Sequence, residues 1–394
     1  MSLPAEPDFT SRAFLNAHVQ FILKFYEPNV RAADGGFHQC FMDDGSVYDK
    51  NLRHLVSSTR FVYNYANAYR HTQQSHYAQW ASDGLDYLKR VHRQSAGHYA
   101  WVINNGQVAD GRAMAYGHAF VMLAAASCIQ HDITDANAML RETWDFMEQY
   151  FWDEQGGAYA DERDSSLHTL DPYRGQNANM HMCEALLAAY QASGQTDYLD
   201  RACQLAHRFA FDLAMANDGL IWEHYDSEWQ SDMQYNIDKP DDLFKPWGFQ
   251  PGHQVEWTKL LLQINDCRPD PDYLKRAREL FDTALRRGWD DEFGGLVYGF
   301  APDGSFCDSH KYFWVHAEAC ASAWRLYRST TNDRYLDDYN RIWAYSWKHL
   351  IDHEQGAWFR IRNRDGSEFD KLKSPPGKTD YHTLGACWDI LSQH

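Results

Sequence analysis

Six glycines, each followed within a few residues by an aromatic side chain, recur along this chain at nearly constant intervals. They are Gly35, Gly97, Gly156, Gly219, Gly294 and Gly356, separated by 62, 59, 63, 75 and 62 residues. The aromatics that follow are Phe37, Tyr99 with Trp101, Tyr159, Trp222, Tyr298 and Trp358. In four of the units a turn dipeptide comes next: Asp44-Gly45, Asn105-Gly106, Asp303-Gly304 and Asp365-Gly366. Such pairs tolerate positive φ and join antiparallel strands tightly, so each unit is expected to carry a small hairpin.

Between the hairpins, apolar residues recur at helical spacing over 9–26, 51–71, 75–93, 112–130, 134–150, 177–193, 196–213, 252–267, 270–288, 311–330, 333–350 and 380–392. A repeat of about 60 residues with two helices cannot bury its apolar face alone, so its neighbours must cover it. Every second helix, such as 112–130 or 177–193, is small and apolar nearly all round, as an inside helix is; 75–93 and 333–350 carry many charges along one side. The pattern predicts an all-α architecture in one domain over 1–394, an inner ring of six helices within an outer six, with short hairpins at one end. The long fourth interval adds a segment, 214–251, that is expected to serve as a lid; it contains Glu223, His224, Asp226, Trp229, Tyr235, Asn236 and Asp238.

The formal charge of −18, from 55 acidic and 37 basic residues, and the lack of a long Lys/Arg run disfavour nucleic acid and anionic membranes as partners. The most apolar stretch, 114–129, is too short to span a bilayer, and Met1–Thr10 lacks a basic-then-apolar leader. A soluble cytoplasmic protein is expected, monomeric or homodimeric. Its eight cysteines lie singly, which reads as free thiols.

Because each inner helix should begin just after a hairpin, all six starts gather at one end of the ring. Unpaired N–H groups there favour developing negative charge and disfavour protonation of an imidazole. The starts are polar: Arg60, Arg112, Tyr116, Asn177, Asn179, His181, Glu184, His253, Glu256, Trp314, Glu318 and His382. His54, His118 and His316 read as hydrogen-bonded core residues. His181, His253 and His382 read as functional, since His253 follows Pro251-Gly252 and His382 follows Pro375-Pro376-Gly377. Glu184 and Glu256 each stand three residues after a histidine, on the same helix face. They serve either as partners that orient the imidazole or as metal ligands; no third acidic helix-start residue completes a ligand set, so no metal and no other cofactor is expected. Fifteen tryptophans and 24 tyrosines, many near the hairpins and inner-helix starts, suit the C–H faces of a sugar.

The segments 173–181 (YRGQNANMH), 223–226 (EHYD), 251–257 (PGHQVEW) and 314–318 (WVHAE) resemble the N-acylglucosamine 2-epimerase superfamily, over the full chain and within its aldose–ketose isomerase branch. The resemblance implies an (α/α)6 barrel and metal-independent sugar isomerisation or epimerisation, such as D-mannose to D-fructose or D-lyxose to D-xylulose, on a monosaccharide as the only partner. It puts the acid/base histidines at His253 and His382, a third pocket histidine at His181, and the arginine that supports the sugar oxygens at Arg60. Glu256 and Glu184 match acidic partners, Tyr116, Asn177, Trp314 and Glu318 further pocket positions, and Asp238 and the Trp247 loop the region that closes over substrate. The position four before the last histidine, a glutamine in members acting on sulfonated sugars, is Lys378, which favours an unmodified hexose. A 2-epimerase shares the same enediol and differs in where the proton returns. An inverting glycosidase, built on two carboxylates, or a non-catalytic sugar-binding protein fits the histidine-rich mouth less well.

Overall fold

A computed structural model describes residues 4–394; the start of the Met1–Thr10 segment lies outside the described residues. Among the described residues twelve helices, numbered in chain order, make two concentric layers. The outer layer is α1 (Arg12–Tyr26), α3 (Ser75–Tyr87), α5 (Asn137–Tyr150), α7 (Thr196–His207), α9 (Pro271–Gly288) and α11 (Asp333–His349). The inner layer is α2 (Leu55–Thr72), α4 (Ala115–Gln130), α6 (Gln176–Ser193), α8 (Pro251–Cys267), α10 (Phe313–Thr330) and α12 (Tyr381–Ser392). Each inner helix touches the next, and α12 returns to α2, so the ring is closed; α1 covers α12, so the first helix completes the last pair. Helix α4 is buried over nearly its whole length, as an inner helix with no polar face must be. Among the described residues no helix is long and apolar enough to cross a membrane.

Several inner helices begin later than their apolar spacing predicts. The first residues of 51–71, 112–130 and 311–330 are extended instead: Leu52–His54, Ala113–Met114 and Lys311–Tyr312 are short strands. Each pairs antiparallel with the following unit, against Val102–Asn104, Glu162–Arg163 and Ile361–Arg362. Arg174–Gly175 pairs likewise with His224–Tyr225, and Phe249 bridges to Phe300. Leu372–Ser374 closes the circuit on Cys40–Met42. The hairpins are therefore joined from unit to unit in a belt around the mouth. Periodicity cannot announce this, because the partner strand lies some 50 residues away. Helices α3 and α7 end in π-helical turns, Leu88–His92 and Arg208–Leu213, where continuous α-helix was expected to 93 and 213.

The recurring glycine turns the chain from the outer helix back toward the ring. Gly35, Gly97, Gly219, Gly294 and Gly356 all have positive φ. In the third unit Gly157 takes that conformation, while a Cβ on Gly156 would meet Trp229 Nε1 at 2.0 Å. Two residues after the turn, a backbone N–H is clasped by the fourth residue of the inner helix. Tyr99 N–H donates to His118 Nε2 at 3.1 Å, Tyr159 N–H to Asn179 Oδ1 at 2.8 Å, Ile221 N–H to Gln254 Oε1 at 3.0 Å and Leu296 N–H to His316 Nε2 at 3.0 Å. The other ring nitrogen of His118 and of His316 donates to the carbonyl four residues back, Met114 at 2.7 Å and Tyr312 at 2.9 Å. These two histidines are structural, as their apolar surroundings predict. His54 caps α2, accepting from Val56 N–H at 3.3 Å, and packs on Trp101.

His118 must remain neutral to accept from Tyr99 N–H, and so must His316 to accept from Leu296. Burial pulls their pKa down to about 4 and about 3, and that of fully buried His92 down to about 4. These folded values lie below that of an unfolded histidine near 6.5, so the unfolded chain binds the extra protons as pH falls. The stability is present above about pH 6.5 and is lost toward pH 4, at up to ~4 kcal/mol per pH unit if all three sites titrate together. Urea unfolding at a series of pH values should show this loss, and His118→Asn, which copies Asn179, should reduce its slope. A midpoint independent of pH between 6.5 and 4.5 would contradict the assignment.

Candidate active site

At the belted end the inner helices open into a cleft of about 690 Å³, mouth included. Arg60, Tyr116, Asn177, His181, His253, Glu256, Trp314, Lys378 and His382 all line it. Eight of them come from the inner helices, mostly from the first two turns, and Lys378 from the turn before α12, so ring closure alone brings together residues more than 300 positions apart. Trp314 stands between two imidazoles, its ring 5.0 Å from that of His253 and 5.6 Å from that of His382. Only glycine fits at 252, since a Cβ there would lie 2.4 Å from the Trp314 ring. Phe244, Pro246, Tyr298 and Phe313 supply apolar wall.

Each of the three cleft histidines is held from behind by a carboxylate at Nδ1. His253 Nδ1 lies 2.9 Å from both oxygens of Glu223, His382 Nδ1 lies 2.7 Å from Glu318 Oε1, and His181 Nδ1 lies 3.0 Å from Glu184 Oε2. An ionised carboxylate only accepts, so Nδ1 carries the proton in each ring and Nε2 is left for the cleft. Arg60 Nη2 lies 3.4 Å from His382 Nε2, a long contact in which it donates to the nitrogen that this tautomer leaves unprotonated. That guanidinium also donates to the Tyr116 hydroxyl at 3.0 Å and to the Gly377 carbonyl, and lies over the rings of Phe120 and Tyr381 at 4.4 and 4.6 Å. Burial, then the nearby Arg60 charge, holds the His382 pKa well below 6.5; burial brings His181 to about 4 against the opposing pull of Glu184. Both rings are neutral proton acceptors at neutral pH.

Glu256 is 1% exposed, and neither carboxylate oxygen has a hydrogen-bond partner. Burial first, then the charge of Glu318, raises its pKa well above 4.5, so it stands in the cleft as a neutral acid. Ligand-type atoms of His181, Glu184 and Glu256, and those of Glu256, Glu318 and His382, lie within 4.8 Å of one another, close enough to share an ion. A side-chain cation already lies among these carboxylates: Lys259 Nζ is 2.5 Å from Glu318 and 3.9 Å from Glu184. Three imidazoles tethered at Nδ1, one guanidinium and one neutral carboxylic acid around an aromatic platform equip the cleft to move protons on a polyhydroxylated carbon chain.

The profile of the N-acylglucosamine 2-epimerase (GlcNAc 2-epimerase) family matches residues 35–386. The chain belongs to that family. A D-mannose isomerase of Marinomonas mediterranea is 48% identical over 392 residues, 99% of each chain. A crystal structure of D-mannose isomerase superimposes with a TM-score of 0.97 at 47% identity, covering 99% of this chain and 100% of that one. The cellobiose 2-epimerase of Bacillus thermoamylovorans, at 18% identity and a TM-score of 0.87 over 98% of this chain and all of its own, shares the (α/α)6 fold.

Within this family frame, some of the residues singled out in the sequence lie elsewhere. Glu256 does not hold His253, although it stands three residues after it; it faces His181, with Oε1 3.9 Å from Nδ1, and Glu223 takes the place beside His253. The i+3 spacing is compatible with contact but does not compel it when a carboxylate from the neighbouring hairpin reaches the ring first. Glu184 and Glu318 lie behind the histidines and border a second cavity at the opposite end of the ring, so they are not positioned to touch a ligand in the cleft. Asp238 is exposed on the 214–251 segment and does not line the cleft. Trp247 does not line it either; its indole N–H donates to the Met233 carbonyl at 2.8 Å and braces the segment internally. Leu243, Phe244 and Pro246 are what the segment brings to the mouth, and Phe244 packs on Trp101 and Tyr116 at 5.5 and 5.6 Å. Lys378 lines the cleft with its ammonium paired to Asp380, and burial lowers its pKa to about 8. Glu223 carried one signal in the sequence: it opens the EHYD segment that resembles the family.

Glu223 also accepts from Gln176 Nε2 at 2.8 Å, which fixes the carboxylate that fixes His253. Glu223→Gln should therefore lower turnover by on the order of 10² to 10⁴-fold while Glu256→Gln leaves the His253 ring in place. Steady-state rates and the ring-proton NMR signal of His253 in both variants check this; an undiminished His253 signal in Glu223→Gln would refute it.

Proposed function

We infer that this chain is a D-mannose isomerase, interconverting D-mannose and D-fructose through a cis-enediol(ate). The observation that carries the reading is the set of three Nδ1-tethered imidazoles presenting Nε2 to one cleft beside Arg60, in a chain 48% identical to a D-mannose isomerase over 99% of its length. D-lyxose, which shares the configuration at C2, is the second substrate of this reading and D-xylulose its product.

The chemistry requires ring opening, loss of the C2 proton, and its return at C1. In this reading His181, with help from the neutral acid Glu256, transfers the proton between O1 and O5 that opens the ring. His382 Nε2 takes the C2 proton; the electron pair left behind forms the C1–C2 double bond and charge collects on O1. Arg60 lies against His382 Nε2, where it stabilises that oxygen. His253, across Trp314, relays the O2 proton to O1. His382 then returns its proton to C1 as O2 becomes the ketone, so nothing is gained or lost. The Phe244 face of segment 214–251 covers the bound sugar and excludes water, and the whole chain acts as one catalytic unit. Eight free cysteines suit a reducing cytoplasm.

D-Mannose incubated with the protein in deuterated buffer should yield D-fructose at equal rates with and without chelator, labelled at C1 in the fraction of turnovers in which the proton held on His382 exchanges with solvent before its return. His253→Ala and His382→Ala should each lose about 10²- to 10⁴-fold in kcat and keep their fold. D-Glucose as the main product would make the protein a 2-epimerase instead, and a rate abolished by chelator would replace this mechanism.

A further inference from the structure

Two of the three carboxylate–imidazole ties share a single cation. Lys259, in the third turn of α8, is 7% exposed and lies between Glu318 of α10 and Glu184 of α6, with Nζ 2.5 Å from Glu318 Oε2 and 3.9 Å from Glu184 Oε1. The remaining oxygen of each glutamate receives a histidine N–H: Glu318 Oε1 from His382 at 2.7 Å and Glu184 Oε2 from His181 at 3.0 Å. The chain His382–Glu318–Lys259–Glu184–His181 runs under the floor of the cleft, with the lysine at its centre. A second cavity of about 1120 Å³, opening included, lined by Ser127, Gln191, Gln263 and Asp389 among others, reaches Glu184, Lys259 and Glu318 from the opposite end of the ring.

We propose that Lys259 is a positioning residue for the isomerisation: one ammonium, reachable from the face opposite the substrate mouth, keeps two glutamates ionised and thereby sets the tautomers of His382 and His181. Its place in turnover rests on the isomerase reading; its effect on the tautomers does not. Glu318 is faced by Lys259 and Glu256 from α8, Glu184 and His181 from α6, His382 from α12 and Tyr63 from α2, and among the described residues Lys259 is the one permanent cation in contact with it. Burial raises the Glu318 pKa and Lys259 pulls it back. With the ammonium gone, buried Glu318 and Glu256 and partly buried Glu184 are left together and Glu318 takes up a proton. A protonated Glu318 donates to His382 Nδ1, the ring proton moves to Nε2, and the lone pair needed at C2 is lost. Activity requires ionised Glu318, so raising its pKa moves the acidic limb of the rate profile to higher pH.

Lys259→Met keeps the length of the side chain and removes its charge. We expect kcat to fall about 10- to 100-fold at neutral pH with KM within about threefold, and to recover in part as pH rises. In the unliganded protein, the downfield Nδ1–H resonance of His382 should disappear from the imidazole spectrum. Lys259→Ala leaves a hole the size of n-propylammonium that opens toward the second cavity; that ion, added as its chloride, should restore kcat saturably and without competing with D-mannose, while sodium chloride should not. Wild-type kcat and an intact Nδ1–H resonance in Lys259→Met would overturn the proposal, as would a slower Lys259→Met with an unchanged pH profile and resonance. If the wild-type protein does not isomerise D-mannose, the functional reading fails, and the resonance still decides the role of Lys259.

Discussion

Closure of the inner ring is the constraint on which everything else depends. No unit here can bury its own apolar face, and an open stack would leave α2 and α12 each with an uncovered flank. The contact of α12 with α2, the cover that α1 gives α12, and the pairing of Leu372–Ser374 with Cys40–Met42 remove both edges at once. Closure also gathers the starts of the inner helices at one mouth, so the solution to the packing problem is the same act that assembles the cleft. Arg60 and His382, 322 positions apart, are in contact for that reason.

The second physical theme is the cost of polar groups in so enclosed a site. A buried imidazole with a free Nδ1 would be mobile between tautomers and under-bonded, and a buried carboxylate with no cation or N–H would protonate. Pairing each histidine with a glutamate answers both costs at once. Glu256 is the exception that the arrangement tolerates: unpartnered, it becomes neutral, which is also the state in which it can donate to a sugar oxygen.

Much of this was legible in the residues. The glycine–aromatic interval marked the six units, the apolar character of 112–130 and 177–193 marked the inner layer, and polar residues at the helix starts pointed to the cleft. Nine of the site residues chosen from the sequence line it: Arg60, Tyr116, Asn177, His181, His253, Glu256, Trp314, Lys378 and His382. Asp238 and Trp247 were less legible because nothing in a loop sequence says which of its side chains turn inward; Phe244 does, two residues after the turn that Asp242 stabilises by accepting from its N–H. The strands that shorten several inner helices were illegible for a related reason, since an antiparallel partner 50 residues away leaves no mark on local periodicity.

By itself, then, the sequence determined the unit count, the two-layer all-α barrel and the kinds of side chain that crowd the mouth, since period and polarity are local properties of the chain. Only the tertiary structure decided which carboxylate holds which imidazole. Helical spacing speaks of residues three or four apart, and it is right for His181 with Glu184. The partners of His253 and His382 lie 30 and 64 positions away, on a hairpin and on a neighbouring helix, and only a closed ring brings them within reach.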